Sequence, residues 1–410
     1  MRTDYQFYEE LIVNKITKIC VIGLGYIGLP TAALLANRGY NIHGVDIDQR
    51  AVDIINRGEI HIVEPELDTF VQSAVNSGKL KADIKPAEAD VFIIAVPTPF
   101  HEGFVPNVDY VRAATLAIAP YIRPGNIVIL ESTSPVGTTD MIAELLQDEG
   151  MDISGIHIAH CPERVLPGKI MKELVENDRI VGGITEAATQ VTANFYRDFV
   201  QGEVLETDAK TAEMAKLTEN SYRDTNIAFA NELSILCDKF DINVWELIRL
   251  ANRHPRVNIL QPGAGVGGHC IAVDPWFIVH KGGKDAKIIR TAREVNTYKT
   301  EWTIEKIKNA ALEFEKANGG KAKIACMGLA FKPDIDDLRE SPALFITKRL
   351  VNEGMDILAV EPNIKSHGDL NLVNYQDALN EADIVVFLVA HKEFKGLKVD
   401  NKLDFCGVLN

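Results

Sequence analysis

Residues 18–28, KICVIGLGYIG, join an apolar run to a glycine-rich turn, and this stretch decides the fold of the first half of the chain. Gly23, Gly25 and Gly28 form a G-x-G-x-x-G pattern, and Asp46 follows on the next apolar run. Glycines at these positions allow a tight turn, a close approach of a pyrophosphate and close packing of helix on strand. A carboxylate at Asp46 can bind ribose hydroxyls and would repel a 2′-phosphate, so the pattern predicts NAD over NADP. The alternative is a glycine-rich turn without a ligand.

Short β-branched runs recur through the first half of the chain, separated by helical patterns such as TAALLANRG and MIAELLQDEG. The runs are residues 18–24, 41–47, 90–96, 126–132 and 156–160. Near-continuous apolar runs of this length are typical of strands that are buried on both faces. Their alternation with helices predicts a parallel sheet with right-handed crossovers, in a first domain over residues 1–206.

The pattern changes to helix at about residue 207. Residues 208–240 contain no Gly or Pro and keep a 3.6-residue apolar period, which predicts one long helix. Shorter helical segments follow, including 244–252 and 288–317, so residues 207–315 are predicted to form a central helical region.

The C-terminal part, residues 316–410, returns to strand-like runs: KIACMGLAF, MDILAVEP and ADIVVFLVA. ESPALFITKRLVNEG reads as a helix between the first two runs. The predicted fold class is therefore α/β, with two Rossmann-like, doubly wound domains joined by the central helical region.

The composition excludes several classes of protein. A length of 410 residues suggests two or three domains, and 46% hydrophobic with 25% charged residues is ordinary for a globular protein. The net charge of -15 argues against binding nucleic acid, and no apolar run is long enough to cross a membrane. The acidic N-terminus resembles no secretory signal, and six scattered cysteines favour free thiols in a reducing cytoplasm.

Turn-forming and hydroxyl residues follow two of the predicted strands, at 96–99 (VPTP) and 131–137 (ESTSPVG). Open parallel sheets bind ligands just beyond the carboxyl ends of their strands. Thr98 and Thr133 are therefore predicted to line that edge, although ordinary turn chemistry explains these residue types equally well.

Two further groups of polar residues lie near the same predicted edge or on the long helix. Glu163 and Arg164, in HCPERVLPG, could hold a water or a polar ligand; the alternative is a surface ion pair. Lys216, Asn220 and Arg223 share one face of the long helix. Their spacing alone is more typical of a solvated polar stripe.

The densest signal is PGAGVGGHCIAVDP, residues 262–275, in which four glycines precede Cys270 and Asp274 follows it. Glycine is selected where the backbone needs φ > 0 or contacts a ligand. A cysteine at the end of such a loop, at a predicted helix start, should be exposed and readily ionised, and is a candidate nucleophile. No metal is predicted, because His269 and Cys270 lack partners at zinc spacing. The cysteines predicted to fill the core are Cys20, Cys237 and Cys326.

The segment FKPDIDDLRES, residues 331–341, follows the first strand of the C-terminal domain. It places Lys332 and Arg339 at the mouth of a second nucleotide-like fold. Clustered cations in an acidic chain suggest a site for phosphates.

Seven motifs occur in this order: GLGYIGLPTA, AVPTP, ESTSPVGT, HCPERVLPG, KLTENSYRDTNIAFANELS, NRHPRVNILQPGAGVGGHCIAVDP and GLAFKPDIDDLRESP. Together they resemble the nucleotide-sugar 6-dehydrogenases, the UDP-glucose/UDP-N-acetyl-mannosamine dehydrogenase family, over residues 16 to 395. The resemblance implies a four-electron oxidation, in which two NAD⁺ in turn convert a sugar C6 alcohol to a carboxylate.

The resemblance also implies roles for individual residues. Cys270 resembles the nucleophile that forms a thiohemiacetal and then a thioester, and Lys216 resembles a residue that transfers protons and stabilises the oxyanion. Glu163 and Asp274 match residues that handle protons and water, and Thr133 matches one that positions that water. The implied catalytic residues are Cys270, Lys216, Asn220, Asp274, Glu163 and Thr133.

Binding residues follow from the same resemblance. Those implied for the cofactor are Gly23, Gly25, Tyr26, Ile27, Gly28, Asp46, Arg50, Thr98, Thr133 and Arg339. Those implied for the UDP-sugar are Arg164, Val165, Lys216, Asn220, Arg223, His254, Arg256, Gly263, Gly265, Gly267, Phe331 and Lys332. His254 and Arg256 match positions that reach the active site of the neighbouring subunit. This match and the long apolar helix predict a homodimer or a multiple of it.

The motifs HCPERVLPG and NRHPRVNILQPG favour UDP-N-acetyl-D-mannosamine as the sugar, with the product supplying a polysaccharide. The same chemistry on UDP-N-acetyl-D-glucosamine or UDP-glucose is the alternative, and a non-catalytic nucleotide-binding regulator is a distant one. Two features depart from the family: about 15 extra N-terminal residues, and Cys406 where a basic residue is usual.

Overall fold

The computed structural model describes residues 16–268 and 270–409, so the N-terminal extension and His269 lie outside the described residues. The described chain divides after Leu217 into two units. Each unit has its own sheet and its own apolar core.

A single large sheet organises the first unit. The strands of this unit are β1 (Lys18–Ile22), β2 (Asn41–Val45), β3 (Leu80–Asp83), β4 (Val91–Ile94), β5 (Phe100–His101), β6 (Val105–Pro106), β7 (Ile127–Leu130), β8 (His157–His160), β9 (Arg179–Gly183) and β10 (Val204–Asp208). Eight of them form the sheet, in the order β10-β9-β8-β7-β4-β1-β2-β3, and β5 pairs with β6 in a hairpin. Pairing in the sheet is parallel except between β8 and β9.

The five strands predicted from the sequence, β1, β2, β4, β7 and β8, are confirmed. Each is one to three residues shorter than predicted, because residues at one or both ends of each apolar run belong to the connecting loops. The strands β3, β9 and β10 carry charged or glycine residues, and no apolar run indicated them.

Helices cover both faces of this sheet. They are α1 (Gly28–Asn37), α2 (Gln49–Asn56), α3 (Leu67–Asn76), α4 (Asp109–Ile118), α5 (Thr138–Asp148), α6 (Ile170–Glu176) and α7 (Glu186–Arg197). Ile19 and Val21 of β1 pack with α1, α2, α3 and α7, whereas Cys20 and Ile22 pack with α4 and α5. Since successive strand residues point to opposite faces, the two clusters lie on opposite sides, and the predicted doubly wound arrangement is confirmed.

The strand order also fixes where a ligand can bind. The chain runs outward from β1 to β2 and β3, and then returns to β4 on the other side of β1. In open parallel sheets the crevice beyond the carboxyl ends of the strands at such a reversal is the binding site.

The second unit contains the predicted smaller α/β fold. Its strands are β11 (Lys323–Met327), β12 (Asp356–Val360), β13 (Ile384–Phe387) and β14 (Lys402–Asp404), all parallel in the order β12-β11-β13-β14. Its complete helices are α9 (Val244–Ala251), α10 (Asp274–Gly282), α11 (Lys287–Asn318), α12 (Pro342–Asn352) and α13 (Tyr375–Glu381). Residues of α11 and α12 cover one face of the sheet, and α13 with the C-terminal segment covers the other.

Two long helices, not one, characterise the middle of the chain. The predicted long helix is confirmed as α8 (Ala209–Lys239), which crosses the division between the units. The segment 288–317 was expected among the shorter ones, but α11 has 32 residues against 31 in α8. Helix α11 contains no Gly or Pro, and it ends where Gly319 adopts φ 76° and donates its N–H to Glu315 O.

The boundaries at 206/207 and 315/316 stay predictions. Helix α11 continues to Asn318, three residues beyond the second of them. Within the described residues, no helix has the length and apolar character needed to cross a membrane.

Candidate active site

The glycine turn between β1 and α1 has two positions where a side chain would clash and one that is open. Gly23 has φ 91°, and a Cβ there would lie 2.5 Å from the carbonyl oxygen of Ala95. A Cβ on Gly28 would collide with the carbonyl oxygen of Gly23, so only glycine lets α1 begin against this turn. No described atom lies within 4 Å of a Cβ placed on Gly25, so open space remains over that part of the backbone.

Asp46 directly follows β2 and is hydrogen-bonded to the glycine turn. Its Oδ2 accepts the backbone N–H of Leu24 at 2.9 Å, and its Oδ1 accepts that of Asp48 at 3.0 Å. Gly23 donates its N–H to Val45 O at 2.8 Å, which fixes the turn at the end of β2. A negative charge is therefore held beside the turn, where it favours a ribose diol over a 2′-phosphate.

These features fit NAD. The open space over Gly25, the helix start at Gly28 and the carboxylate of Asp46 stand where a dinucleotide needs a backbone cradle, a helix N-terminus and a ribose acceptor. Tyr26 and Ile27 belong to the turn itself, and the exposed Arg50 lies in the first turn of α2.

Hydrogen bonds join the loops that follow β4 and β7. The Thr98 hydroxyl donates to Thr133 O at 2.6 Å, and the Ser132 hydroxyl donates to Val96 O at 2.7 Å. The two predicted clusters therefore meet at the carboxyl edge of the sheet, with Thr133 half-buried. These hydrogen bonds between loops hold the edge in place, and the half-buried Thr133 is still accessible to a ligand.

Glu163 and Arg164 are adjacent in the sequence, but their side chains have different partners. Glu163 is 6% exposed and makes an ion pair with Arg179, which is 1% exposed, at 2.6 Å. The Arg164 guanidinium instead donates to Asp178 O at 3.2 Å. The alternative of a surface ion pair is wrong, because Arg179 begins β9, which pairs with the strand that leads into Glu163, and the resulting ion pair is buried.

Helix α8 is anchored at the same edge. The buried Glu213 carboxylate accepts the N–H of Gly137 at 2.6 Å, and the N–H and hydroxyl of Thr139 at 2.7 and 2.6 Å. It thereby caps the start of α5. Lys216 lies one turn further along α8, half-buried and close enough to act on His160. Burial, with a smaller contribution from Lys216, lowers the pKa of His160 to about 3, so this imidazole is neutral.

In the second unit, Asn220 and Asp274 are in direct contact. Asn220, at 7% exposed, donates its amide N–H to Asp274 Oδ2 at 2.5 Å. A fully solvated stripe along Lys216, Asn220 and Arg223 is therefore wrong, since only Arg223 is exposed. Lys216 belongs to the first unit, and Asn220 and Arg223 to the second.

Cys270 is exposed, as predicted, in a turn before α10. The backbone N–H groups of Val273 and Asp274 both donate to Cys270 O, at 3.0 and 2.8 Å. The helix begins at Asp274 rather than at the cysteine, because Pro275 favours the first helical turn. The cysteine and a buried carboxylate are thus fixed one turn apart.

The glycine loop packs against the segment that follows β11. A Cβ on Gly265 would collide with the Thr300 hydroxyl and would lie 2.9 Å from Pro342. A Cβ on Gly267 would approach Glu340 O at 2.5 Å and the Phe331 side chain at 2.9 Å. The structure therefore brings two of the predicted UDP-sugar elements into contact.

Gly263, at the start of this loop, rests on a buried polar network. Its N–H donates to Asn231 Oδ1 at 2.9 Å, and Asn231 Nδ2 donates to Asn296 Oδ1 at 2.9 Å. Asn296 Nδ2 in turn donates to the carboxylate of Asp224, which pairs with Arg293 at 2.6 Å. This network was not predicted from the sequence, although paired Asn and charged residues on apolar helix faces indicate such a network.

A buried glutamate holds the segment that carries Phe331 and Lys332. Glu361 Oε2 accepts the N–H groups of Leu329 and Ala330 at 2.8 and 2.9 Å and lies 3.0 Å from His391 Nε2. His391 Nδ1 accepts the N–H of Asp334 at 2.9 Å, so both sides of Lys332 are fixed. Burial raises the pKa of Glu361, but hydrogen bonds from His391 and the backbone outweigh it and bring the pKa to about 2.

The two cations predicted at this segment have different surroundings. Lys332 is exposed, whereas the guanidinium of Arg339 forms an ion pair with Asp337 at 2.6 Å. A ligand phosphate at Arg339 would have to compete with that carboxylate.

The remaining predicted residues lie at the surface or near it. His254 and Arg256 are exposed after α9, where the Arg256 N–H donates to His254 Nδ1 at 3.3 Å. Val165 is half-buried beside Arg164. Cys406 is half-buried in a turn whose N–H groups converge on the Asp404 carboxylate.

Three family profiles match the chain. They are those of the UDP-glucose/GDP-mannose dehydrogenase family: the NAD binding domain at residues 17–200, the central domain at 210–298 and the UDP binding domain at 325–405.

Individual relatives agree with these profiles. A UDP-N-acetyl-D-mannosamine dehydrogenase of Campylobacter jejuni is 58% identical, over 96% of this chain and 100% of its own length. An NDP-N-acetyl-D-galactosaminuronic acid dehydrogenase of Ralstonia solanacearum is 54% identical, over 93% of this chain and 92% of its own. The solved structure of a UDP-N-acetyl-mannosamine dehydrogenase from Staphylococcus aureus is 43% identical, covers 96% of each chain and has a TM-score of 0.86.

The dinucleotide cradle, the glycine loop before Cys270 and the three matched domains lead to one assignment. The chain belongs to the UDP-glucose/GDP-mannose dehydrogenase family and is an NAD-dependent UDP-sugar dehydrogenase with NAD-binding, central helical and UDP-binding domains.

Proposed function

We propose that the enzyme oxidises UDP-N-acetyl-D-mannosamine at C6 to UDP-N-acetyl-D-mannosaminuronate, consuming two NAD⁺, and that the product supplies a polysaccharide. The relatives named for this sugar and the motifs HCPERVLPG and NRHPRVNILQPG support the choice of substrate. The observation that carries the chemistry is the exposed Cys270, fixed one turn from a buried Asp274 that Asn220 holds.

In the proposed mechanism Cys270 keeps the intermediate bound. NAD⁺ bound over the glycine turn and at Asp46 would supply the acceptor for the hydride that leaves C6 in each of the two oxidations. After the first, the Cys270 sulfur adds to the C6 aldehyde, and the carbonyl oxygen takes up a proton to give a thiohemiacetal. Loss of that proton and the second hydride leaves a thioester. Water then cleaves the C–S bond, which yields the carboxylate and returns the thiol.

The surrounding residues handle charge, protons and water. Lys216 and Asn220 stabilise the developing oxyanion, because an ammonium and an amide N–H both donate to negative oxygen. Asp274 and Glu163 accept or return protons, and Thr133 positions water at the carboxyl edge of the sheet. Arg164, Val165 and Arg223 contribute to binding of the UDP-sugar.

The UDP-sugar is proposed to bind at the contact between the glycine loop and the segment after β11. Gly263, Gly265 and Gly267 expose backbone there, and Phe331 and Lys332 supply an aromatic face and a cation. A diphosphate needs such donors and positive charge.

We propose a homodimer, or a multiple of it, with a shared active site. Tyr222, Phe229 and Leu236 on α8 are exposed, and a large apolar surface of this kind is typical of an interface. His254 and Arg256 are exposed and would complete the partner's site. Mixing Arg256→Ala with Cys270→Ser should restore activity, because one site of the mixed dimer has both residues intact. No recovery after demonstrated subunit exchange would contradict the shared site.

The substrate is tested by measuring NADH formation with a panel of UDP-sugars. The panel contains UDP-N-acetyl-D-mannosamine, UDP-N-acetyl-D-glucosamine, UDP-N-acetyl-D-galactosamine and UDP-glucose; the galactosamine sugar is included because of the Ralstonia relative. The mannosamine sugar should give the highest kcat/KM. A higher value for another sugar would reassign the substrate and leave the reaction type unchanged.

The mechanism is tested by stoichiometry and by Cys270→Ser. Two NADH should form per sugar consumed; one NADH with accumulating aldehyde would contradict the four-electron reaction. Cys270→Ser should lower turnover by orders of magnitude, since a hydroxyl is a far weaker nucleophile than a thiolate, while NAD binding is retained. A variant with most of its activity would remove Cys270 from the mechanism.

The reducing cytoplasm stays the predicted location. Buried thiols at Cys20, Cys161, Cys237 and Cys326 are consistent with it.

A further inference from the structure

A cluster of charged side chains is buried inside the first unit, beside the proposed catalytic edge. Glu131 at the end of β7 is 2% exposed, Glu163 after β8 is 6% exposed and Arg179 at the start of β9 is 1% exposed. Tyr196 of α7 is also buried there. Isolated buried charges are costly, so two carboxylates and one guanidinium raise the question of which carboxylate is ionised.

Glu163 has the surroundings of a carboxylate anion. Its Oε2 accepts from Arg179 Nη1 at 2.6 Å, and its Oε1 accepts the backbone N–H of Arg164 at 2.7 Å. Arg179 is itself fixed, because its Nη2 donates to Leu174 O at 3.0 Å. Both oxygens of Glu163 thus face donors, and one of the donors carries a full positive charge.

Glu131 has the surroundings of a neutral acid. Its Oε1 accepts the Tyr196 hydroxyl at 2.7 Å, but its buried Oε2 has no partner among the described residues. The neighbouring Thr31 hydroxyl is also buried without a partner. A proton on Oε2 would avoid a second buried anion, because the Arg179 guanidinium donates to Glu163 and to Leu174 O and not to Glu131. Burial and the charge of Glu163 raise the pKa of Glu131 to about 7.

Within residues 16–268 and 270–409, the charged side chains of the cluster are those of Glu131, Glu163 and Arg179. The titratable and polar groups that face Glu131 are Glu163, Arg179, Tyr196, Thr31 and Cys161. Burial raises the pKa of Cys161 to about 12 and that of Tyr196 well above its usual value, so both stay neutral. With one proton on Glu131, the cluster has one negative and one positive charge.

We propose that Arg179 is the positioning residue that keeps Glu163 ionised and aligned, and that Glu131 retains a proton so that Arg179 serves Glu163 alone. The proposal rests on the proposed function only for the role of Glu163 in the reaction. The location of the proton is a property of the folded chain, and it is tested without turnover.

The first experiment measures thermal unfolding against pH for the wild type, Glu131→Gln and the exposed control Glu203→Gln. Folded Glu131 binds its proton more tightly than the unfolded chain does. The wild type should therefore lose stability as the pH rises from the usual carboxyl range through about 7. The wild type and Glu203→Gln should share this slope, and Glu131→Gln should lack it. The same slope in all three proteins would overturn the location of the proton.

The second experiment measures kcat against pH for Arg179→Met, Arg179→Lys and Glu131→Gln. Without the guanidinium, the Glu163 carboxylate loses its cationic partner, so the acid limb of the kcat profile should move up by about one pH unit or more. At pH values below the limb, this shift corresponds to about a tenfold loss of kcat, and the KM for NAD should change little. Arg179→Lys should reverse most of it, because a cation is restored. Glu131→Gln should keep kcat within about threefold, because the amide resembles the neutral acid.

The remaining outcomes also decide the proposal. If Arg179→Met fails to fold because it leaves a buried carboxylate unpaired, Arg179→Met combined with Glu163→Gln removes both charges and should fold. Failure of this double variant too would make Arg179 purely structural. A loss of kcat in Glu131→Gln equal to that in Glu163→Gln would also overturn the proposal. An enzyme without turnover on any UDP-sugar would refute the proposed function, while the stability slopes would still locate the proton.

Discussion

Gly25→Ala should separate NAD binding from folding. No described atom lies within 4 Å of a Cβ at this position, and its φ is not positive, so the methyl group meets no steric obstacle in the folded chain. Replacing glycine there should stabilise the fold by about 0.4–1 kcal/mol, because the unfolded chain loses freedom. The same methyl group would occupy the space that a pyrophosphate needs. Loss of one charge-assisted hydrogen bond, worth about 1.5–3 kcal/mol, weakens NAD binding by about ten- to a hundredfold.

The assay pairs thermal unfolding with NAD titration by calorimetry or fluorescence. Gly23→Ala is the matched control, because its Cβ would lie 2.5 Å from Ala95 O and its φ is 91°. The control should lose stability and binding together, whereas Gly25→Ala should lose binding alone. Unchanged NAD affinity in a folded Gly25→Ala would refute the inference that the cofactor lies over this backbone.

Three further substitutions test other parts of the molecule. Asp46→Ala should weaken NAD binding by about 1–3 kcal/mol and reduce the preference for NAD over NADP. If titrations with both cofactors give an unchanged affinity ratio, Asp46 does not contact the ribose. Glu361→Gln should raise the KM for the UDP-sugar and lower stability at neutral pH. The stability difference should shrink on acidification towards about 2, because a carboxylate with a depressed pKa stabilises the fold only while ionised; a difference independent of pH would contradict this. Lys299 is buried, and burial lowers its pKa to about 7, so Lys299→Met should unfold at a higher temperature than the wild type at neutral pH, with the gap closing as the pH rises towards 10.5. A more stable wild type would mean that the Trp302 ring, 3.8 Å from the ammonium, offsets the burial.

The sequence predicted those parts of the fold that depend on apolar periodicity. The strands β1, β2, β4, β7 and β8 and helix α8 are confirmed, because buried parallel strands and long helices require patterns that few other structures produce. Strand β9 was not predicted, since it begins with Arg179 and ends in two glycines. A charged residue such as Arg179 is compatible with a buried strand only when an oppositely charged partner neutralises it. That partner, Glu163, lies 16 residues away along the chain, so the sequence pattern does not reveal it.

The candidate site was predictable where backbone constraints select the residue type. Local sterics require glycine at Gly23 and Gly28, and at Gly265 and Gly267 before Cys270, and such a requirement is visible in the sequence itself. The buried residues that hold these glycine segments and the neighbouring loops in place come from distant parts of the sequence. The contacts of Glu213 with Thr139, of Glu361 with Leu329 and of Asn231 with Gly263 each join segments 32 to 74 residues apart, and no short motif encodes such pairings.

The distribution of the thiols allows Cys270 to be labelled selectively. Burial raises the pKa of Cys20 to about 11 and of Cys161 and Cys326 to about 12, and it raises those of Cys237 and Cys406 as well. At neutral pH an alkylating reagent therefore encounters five poorly ionised sulfurs and the exposed Cys270. Iodoacetamide or a maleimide dye can then serve as a titrant that counts competent sites in a preparation. Protection from the dye by added UDP-sugar would report occupancy of each site without any turnover.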